Sequence, residues 1–183
     1  MTLFSSFEIL AENLVPNGVL PPTAANPFAL QGYFVQISLV PGASATQFNI
    51  VFDETTQFNS GMGRNGVFAQ YIDANGNVNI VPGSTFFGST SIGFLYQTIN
   101  AGETLIYGVQ AISPPTATEQ DVAIPQGGTG WRGTVQIAPT NPGSLIATPT
   151  HRLVYYNGDD ITTDSVIDAV VYSVPTFTGA TKV

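Results

Sequence analysis

The chain has 183 residues with 4 basic and 12 acidic side chains, a formal charge of −8, and only 9% of its residues are charged, where soluble domains average about 25%. Four scattered cations, Arg64, Arg132, Arg152 and Lys182, cannot neutralise a phosphate backbone, which excludes nucleic acid as a principal partner. The acidic balance also disfavours an anionic membrane surface. With no Cys and His151 as the single histidine, disulfides, thiolate metal sites, cysteine nucleophiles and two-histidine metal sites are excluded within one chain.

Neutral polarity replaces charge: 21 Thr, 12 Ser, 12 Asn and 10 Gln, punctuated by 19 Gly and 13 Pro. The length fits one domain over 1–183, which can bury roughly 70% of its unfolded surface. The first eight residues hold no cation, and Glu8 and Glu12 interrupt any apolar run, so no secretory signal is expected. No Asn-x-Ser/Thr acceptor occurs, which fits a bacterial or viral protein, cytoplasmic or part of a virion. The longest uncharged run, Asn13 to Phe52, is broken by five prolines and cannot form a spanning helix, so membrane insertion is not expected.

In chain order, Ser5-x-x-Glu8 has the capping-box form, and Phe7, Leu10 and Leu14 share a helical face before Pro16. Two readings stand side by side there, one short N-terminal helix and an edge strand. Residues 16–27 read as a loop. Tyr33, Val35, Ile37 and Leu39 then alternate with polar residues, as do Phe48, Ile50 and Phe52, the period-2 signature of strands with one dry face. Gly61-Met-Gly-Arg-Asn-Gly66 matches a dinucleotide fingerprint in spacing. A strand-like run follows it rather than the required helix, so it reads as a loop.

Tyr71 to Val81 reads as a hairpin around Asn75-Gly76, with the positive φ of a type I′ turn. Asp73-Ala-Asn-Gly-Asn77 resembles the start of a calcium loop, but Val78 and Thr85 stand where its Gly and Glu belong. Ile92, Phe94 and Tyr96 form another dry parity, and a tight turn at 100–103 leads to Leu105, Tyr107, Val109 and Ala111. Ser113 to Asp121 reads as a long loop. A second glycine motif, Gly128 to Gly133, also runs into strand-like sequence and encloses Trp131-Arg132. This lone Trp beside an Arg is either a core anchor or an exposed platform for a sugar ring or a partner's side chain.

Val135 and Ile137 open the next strand. Val35-Gln-Ile before Pro41-Gly42 and Val135-Gln-Ile before Pro142-Gly143 echo one another, but such residues are common in strands. His151 begins a strand-like run with no nucleophile elbow or metalloprotease motif near it, the setting of a structural or surface histidine. Tyr155 and Tyr156 point to opposite faces. Asp159, Asp160, Asp164 and Asp168 form the densest acidic stretch, either solvated turn residues or a calcium site. Ile167, Ala169 and Val171 give the last dry parity.

About nine strands without helical alternation predict a single all-β domain, an antiparallel sandwich of immunoglobulin-like or jelly-roll type. No catalytic constellation and no cofactor motif is found. The expected function is a non-catalytic structural or interaction module that self-associates, because uncharged strands are kept soluble by covering their edges in an oligomer. The alternative is a domain binding carbohydrate or another small neutral ligand, calcium-assisted by the acidic stretch. Trp131, Arg132 and Tyr155 are the expected binding residues.

Overall fold

A computed structural model describes residues 2–15, 18–21, 23–55, 67–82, 91–111, 131–158 and 163–183. Among them are eleven strands: β1 (Thr2–Ile9), β2 (Ala11–Asn13), β3 (Phe28–Leu39), β4 (Thr46–Glu54), β5 (Val67–Ile72), β6 (Val78–Pro82), β7 (Ser91–Ile99), β8 (Thr104–Ala111), β9 (Trp131–Pro139), β10 (Leu145–Tyr156) and β11 (Val166–Ser173). They form two antiparallel sheets packed face to face. The smaller runs β1-β9-β4-β7; the larger runs β11-β10-β3-β8-β5-β6, with β2 also paired to β3. The chain is a β-sandwich, as its alternation predicts. Among the described residues no helix is long and apolar enough to cross a membrane.

The dry parities of the central strands meet in the core. Phe48, Ile50 and Phe52 of β4 and Val135 and Ile137 of β9 face Tyr33, Val35 and Ile37 of β3 and Tyr107 and Val109 of β8, all buried. Phe7, Tyr33 and Phe52 stitch the layers, with ring centroids 5.8 to 6.3 Å apart in tilted and edge-on arrangements. Gly133 makes room within the smaller sheet: a Cβ there would strike the Asp53 carbonyl of β4 and the Phe7 ring of β1, its two neighbouring strands. The last glycine of the Gly128–Gly133 motif is therefore a packing residue of β9; the rest of that motif, Gly61–Gly66 and the 113–121 loop lie outside the described residues.

The N-terminal segment is a strand, not a helix. Ser5, Phe7, Ile9 and Ala11 are all buried, a period-2 pattern disguised by the hydroxyl of Ser5. That hydroxyl belongs in the core because it hydrogen-bonds the buried Tyr33 phenol, which satisfies both groups. The 73–77 hairpin turn also departs from type I′. Only Gly76 has positive φ there, because the Asp73 carboxylate accepts the N–H groups of Asn75 and Asn77, both at 2.9 Å, and fixes an Asx turn instead. The repeated Val-Gln-Ile and Pro-Gly segments fall at corresponding places: β3 to β4 and β9 to β10 each cross from one sheet to the other. The two crossings pack together, with Asn141 Nδ2 donating to Thr46 Oγ1 at 3.0 Å.

The expectation of one wet and one dry face fails at the sheet edges. Val78 and Ile80 of β6 are exposed, and every residue of β11 is exposed on both parities. An edge strand of the larger sheet has no layer of the smaller one above it, so its apolar parity meets solvent.

Candidate functional site

The most unusual surface of the molecule is β11 and what fastens it to β10. Tyr172 stands opposite His151, and His151 opposite Tyr33, so the three share one face of the sheet. Gln31 and His151 are only 3% and 9% exposed. Gln31 Nε2 lies 2.9 Å from His151 Nδ1 and donates to Tyr172 Oη at 3.0 Å, while Nδ1 and Oη are also 3.0 Å apart. Both neighbours of Nδ1 are donors, so it accepts, and the ring proton sits on Nε2. The imidazole packs edge-on to Tyr33 and Tyr172, at 5.5 and 5.3 Å. Burial lowers its pKa below the ordinary histidine value, and the Glu8 carboxylate opposes this in part, so the ring is held neutral. Gln31 Oε1 and His151 Nε2 find no hydrogen-bond partner among the described residues. This polar knot pins one end of β11 to the body of the sheet.

The remainder of β11 is held by its ladder to β10. Val174 donates its N–H to the Pro149 carbonyl, which sets the phase of that ladder. Asp168, Val170 and Tyr172 turn their main chain to β10, and Ala169, Val171 and Ser173 turn theirs to the free edge. No strand among the described residues lies along that edge. The side chains on it include Val166, Ile167, Val170 and Val171, the last 64% exposed. Asp168 is the only charged residue of the strand, and its Oδ1 accepts the edge-facing N–H of Ala169 at 2.8 Å.

The residues expected to bind fall in different places. Arg132 faces Glu8 across β1 and β9 and donates from Nε to Oε1 at 2.7 Å, on a half-exposed surface. Tyr155 is half-buried on β10 of the larger sheet, opposite Ala29 of β3 on one side and Asp168 of β11 on the other. Trp131 opens β9 opposite Ile9; its indole is outside the described side chains, as are Asp159 and Asp160. Among the described residues no three His, Asp or Glu side chains converge to hold a metal ion.

Two features escaped the sequence. Tyr96, expected inward with Phe94, is 77% exposed. A register shift between β4 and β7 bulges the strand, and Tyr96 has φ of 55°, a left-handed conformation uncommon for a bulky residue. Asn49 Oδ1 accepts the Tyr96 N–H at 2.7 Å, and Gln97 Nε2 donates to the Leu95 carbonyl at 3.0 Å while its Oε1 accepts the buried Tyr107 hydroxyl. Second, Phe34 lies over Gly108 and Gly32 on the far face of β3, with the Arg152 guanidinium 4.1 Å above its ring. Neither arrangement leaves a periodic signal.

No family model matches this chain, and no curated protein matches it.

Proposed function

We propose that this protein is a non-catalytic structural or interaction module that self-associates through β11. The observation carrying this reading is an eight-residue strand exposed on both faces, apolar at five positions beyond Ala169, with outward-turned main-chain groups along one side. Such an edge is a template for another strand. Native edges are blunted by Lys, Pro or bulges, and the only Lys of this chain is Lys182, outside every strand. Burying Val166, Ile167, Val170 and Val171 against a second copy supplies apolar area, and the free N–H and C=O groups supply register.

Sedimentation velocity over a hundredfold range of protein concentration tests the reading, and it expects an oligomer that dissociates on dilution. A monomer at the highest concentration would falsify it. Val171→Lys, which places an ammonium on the exposed edge, is expected to give a folded monomer.

The exposed Tyr96 favours a second reading, a platform for a neutral ring-bearing ligand such as a sugar. Backbone strain of about 1–3 kcal/mol persists only where its surroundings hold it, and Asn49 and Gln97 hold this one. Sugar-induced chemical-shift changes that vanish in Tyr96→Ala support the platform, and unchanged spectra across a glycan panel rule it out.

A further inference from the structure

We infer that association stops at a closed dimer, two copies joined antiparallel along β11 about a twofold axis into one continuous sheet. The inference rests on the self-association reading and adds its symmetry. An open chain of copies needs two different competent edges, whereas a single competent edge can pair only with itself. The two strand orders end in four edge strands, β1 and β7 in the smaller sheet and β11 and β6 in the larger, and the three-residue β2, paired to β3 alone, is too short to template another strand.

Three of the four are blunted. Along β1 the Phe4 carbonyl accepts the Phe177 N–H, and the following segment crosses to the larger sheet, where Thr181 and Val183 bond Ala147 and Leu145 of β10. The C-terminal segment thus lies across the start of that edge, the strand is shifted in register at Phe4, and Glu8 charges its far end. On β7 the left-handed kink at Tyr96 interrupts the row of main-chain groups, and the Leu95 carbonyl is bonded by Gln97.

β6 is five residues long and ends in Pro82. Asp73 N–H donates to the Asn77 carbonyl, so along the β5–β6 ladder Val78, Ile80 and Pro82 are the residues turned outward. Proline supplies no N–H there. Only β11 combines an unbroken ladder from Asp168 to Ser173 with apolar side chains on both parities. Its one obstacle is Asp168, whose carboxylate occupies the Ala169 N–H; this group weakens the pairing and keeps it reversible.

The full chain tests the inference by sedimentation equilibrium, with variants that remove single outward N–H groups. Val171→Pro deletes an N–H that faces away from β10, so the intramolecular ladder stays whole. The dimer is expected to weaken roughly 100-fold, two strand–strand hydrogen bonds being lost across the twofold axis. Val171→Lys gives the same loss without altering the backbone, should the proline variant misfold. Ile80→Pro on β6 leaves the dimer unchanged. Asp168→Ala removes the oxygen that holds the Ala169 N–H, frees that donor in both copies, and is expected to tighten the dimer roughly 10- to 100-fold.

Species that grow beyond a dimer, or a dimer lost in Ile80→Pro and kept in Val171→Pro, overturn the closed β11 pairing while leaving self-association intact. A wild-type protein that stays monomeric overturns both.

Discussion

β3 and β11 belong to the same sheet, separated only by β10, and both are rich in apolar residues. From Phe28 to Val35 every residue of β3 is buried, and from Val166 to Ser173 every residue of β11 is exposed. Composition does not separate them; place in the strand order does. β3 is paired along both edges, by β10 over its whole length on one side and by β8 and, at Phe28 to Leu30, β2 on the other. Tyr33, Val35 and Ile37 occupy the core, and Phe34 fills the far side over two glycines. β11 is paired once. β11 keeps an apolar sequence without adding a residue to the buried core, and that is the observation behind the proposed self-association.

The comparison breaks first on stability. Tyr33→Ala removes a fully buried ring that joins the layers and leaves Ser5 without its partner, and the expected loss is about 3–5 kcal/mol. Val166→Ala on β11 is expected to stay within about 0.5 kcal/mol, as exposed substitutions do. Denaturant melts of both variants at a concentration where the protein is monomeric measure the two. A Val166→Ala loss as large as that of Tyr33→Ala would show β11 to be part of the folding core.

A smaller effect is expected on the far face of β3. A Cβ at Gly108 would strike the Phe34 ring and lie 2.9 Å from the Tyr33 carbonyl. Gly108→Ala therefore has to displace the ring from beneath Arg152, at a cost of about 1–3 kcal/mol. The tight neighbour is backbone as well as a side chain, so relaxation is restricted. A variant as stable as the parent would mean that Phe34 moves freely and that the far face is loosely packed.

The central strands were legible because alternation reports a dry face wherever a second layer covers it. Tyr33 to Leu39, Phe48 to Phe52 and Leu105 to Val109 all keep their parity. The same alternation at Val78 and Ile80, or at Ile167 and Val171, carries no mark of an edge, since strand order is a long-range property. Ser5 was misread because its buried partner, Tyr33, lies 28 residues away. His151 was legible as a structural or surface histidine, but its partners Gln31 and Tyr172 come from different strands. Tyr96 was placed inward because a bulge shifts phase without changing composition. The shortage of charge raised the expectation of an interface, and the choice of β11 for the proposed one rests on strand order, which composition does not carry.

The smallest effect concerns the knot that joins the two strands, and it is read in pH. Burial lowers the His151 pKa, so between the folded value and the unfolded value near 6.5 the unfolded chain binds more protons. The stabilising contribution is complete above about pH 6.5 and is lost as pH falls below it, at no more than about 1.4 kcal/mol per pH unit. Asp73 and Glu103 have carboxyls lowered by hydrogen bonds to Asn77 and Asn100, and their losses begin only near pH 4. Of these three groups only His151 acts between pH 6.5 and 4, with Glu8 as the charge that acts on it. His151→Gln keeps an amide donor beside Tyr172 and removes the titration. Its melting temperature is expected to be lower at pH 7.5 and to change less from pH 7 to pH 5 than that of the parent. Parallel pH profiles would show that the imidazole titrates as freely in the folded protein as in the unfolded chain, and that the knot between β3 and β11 is open to water.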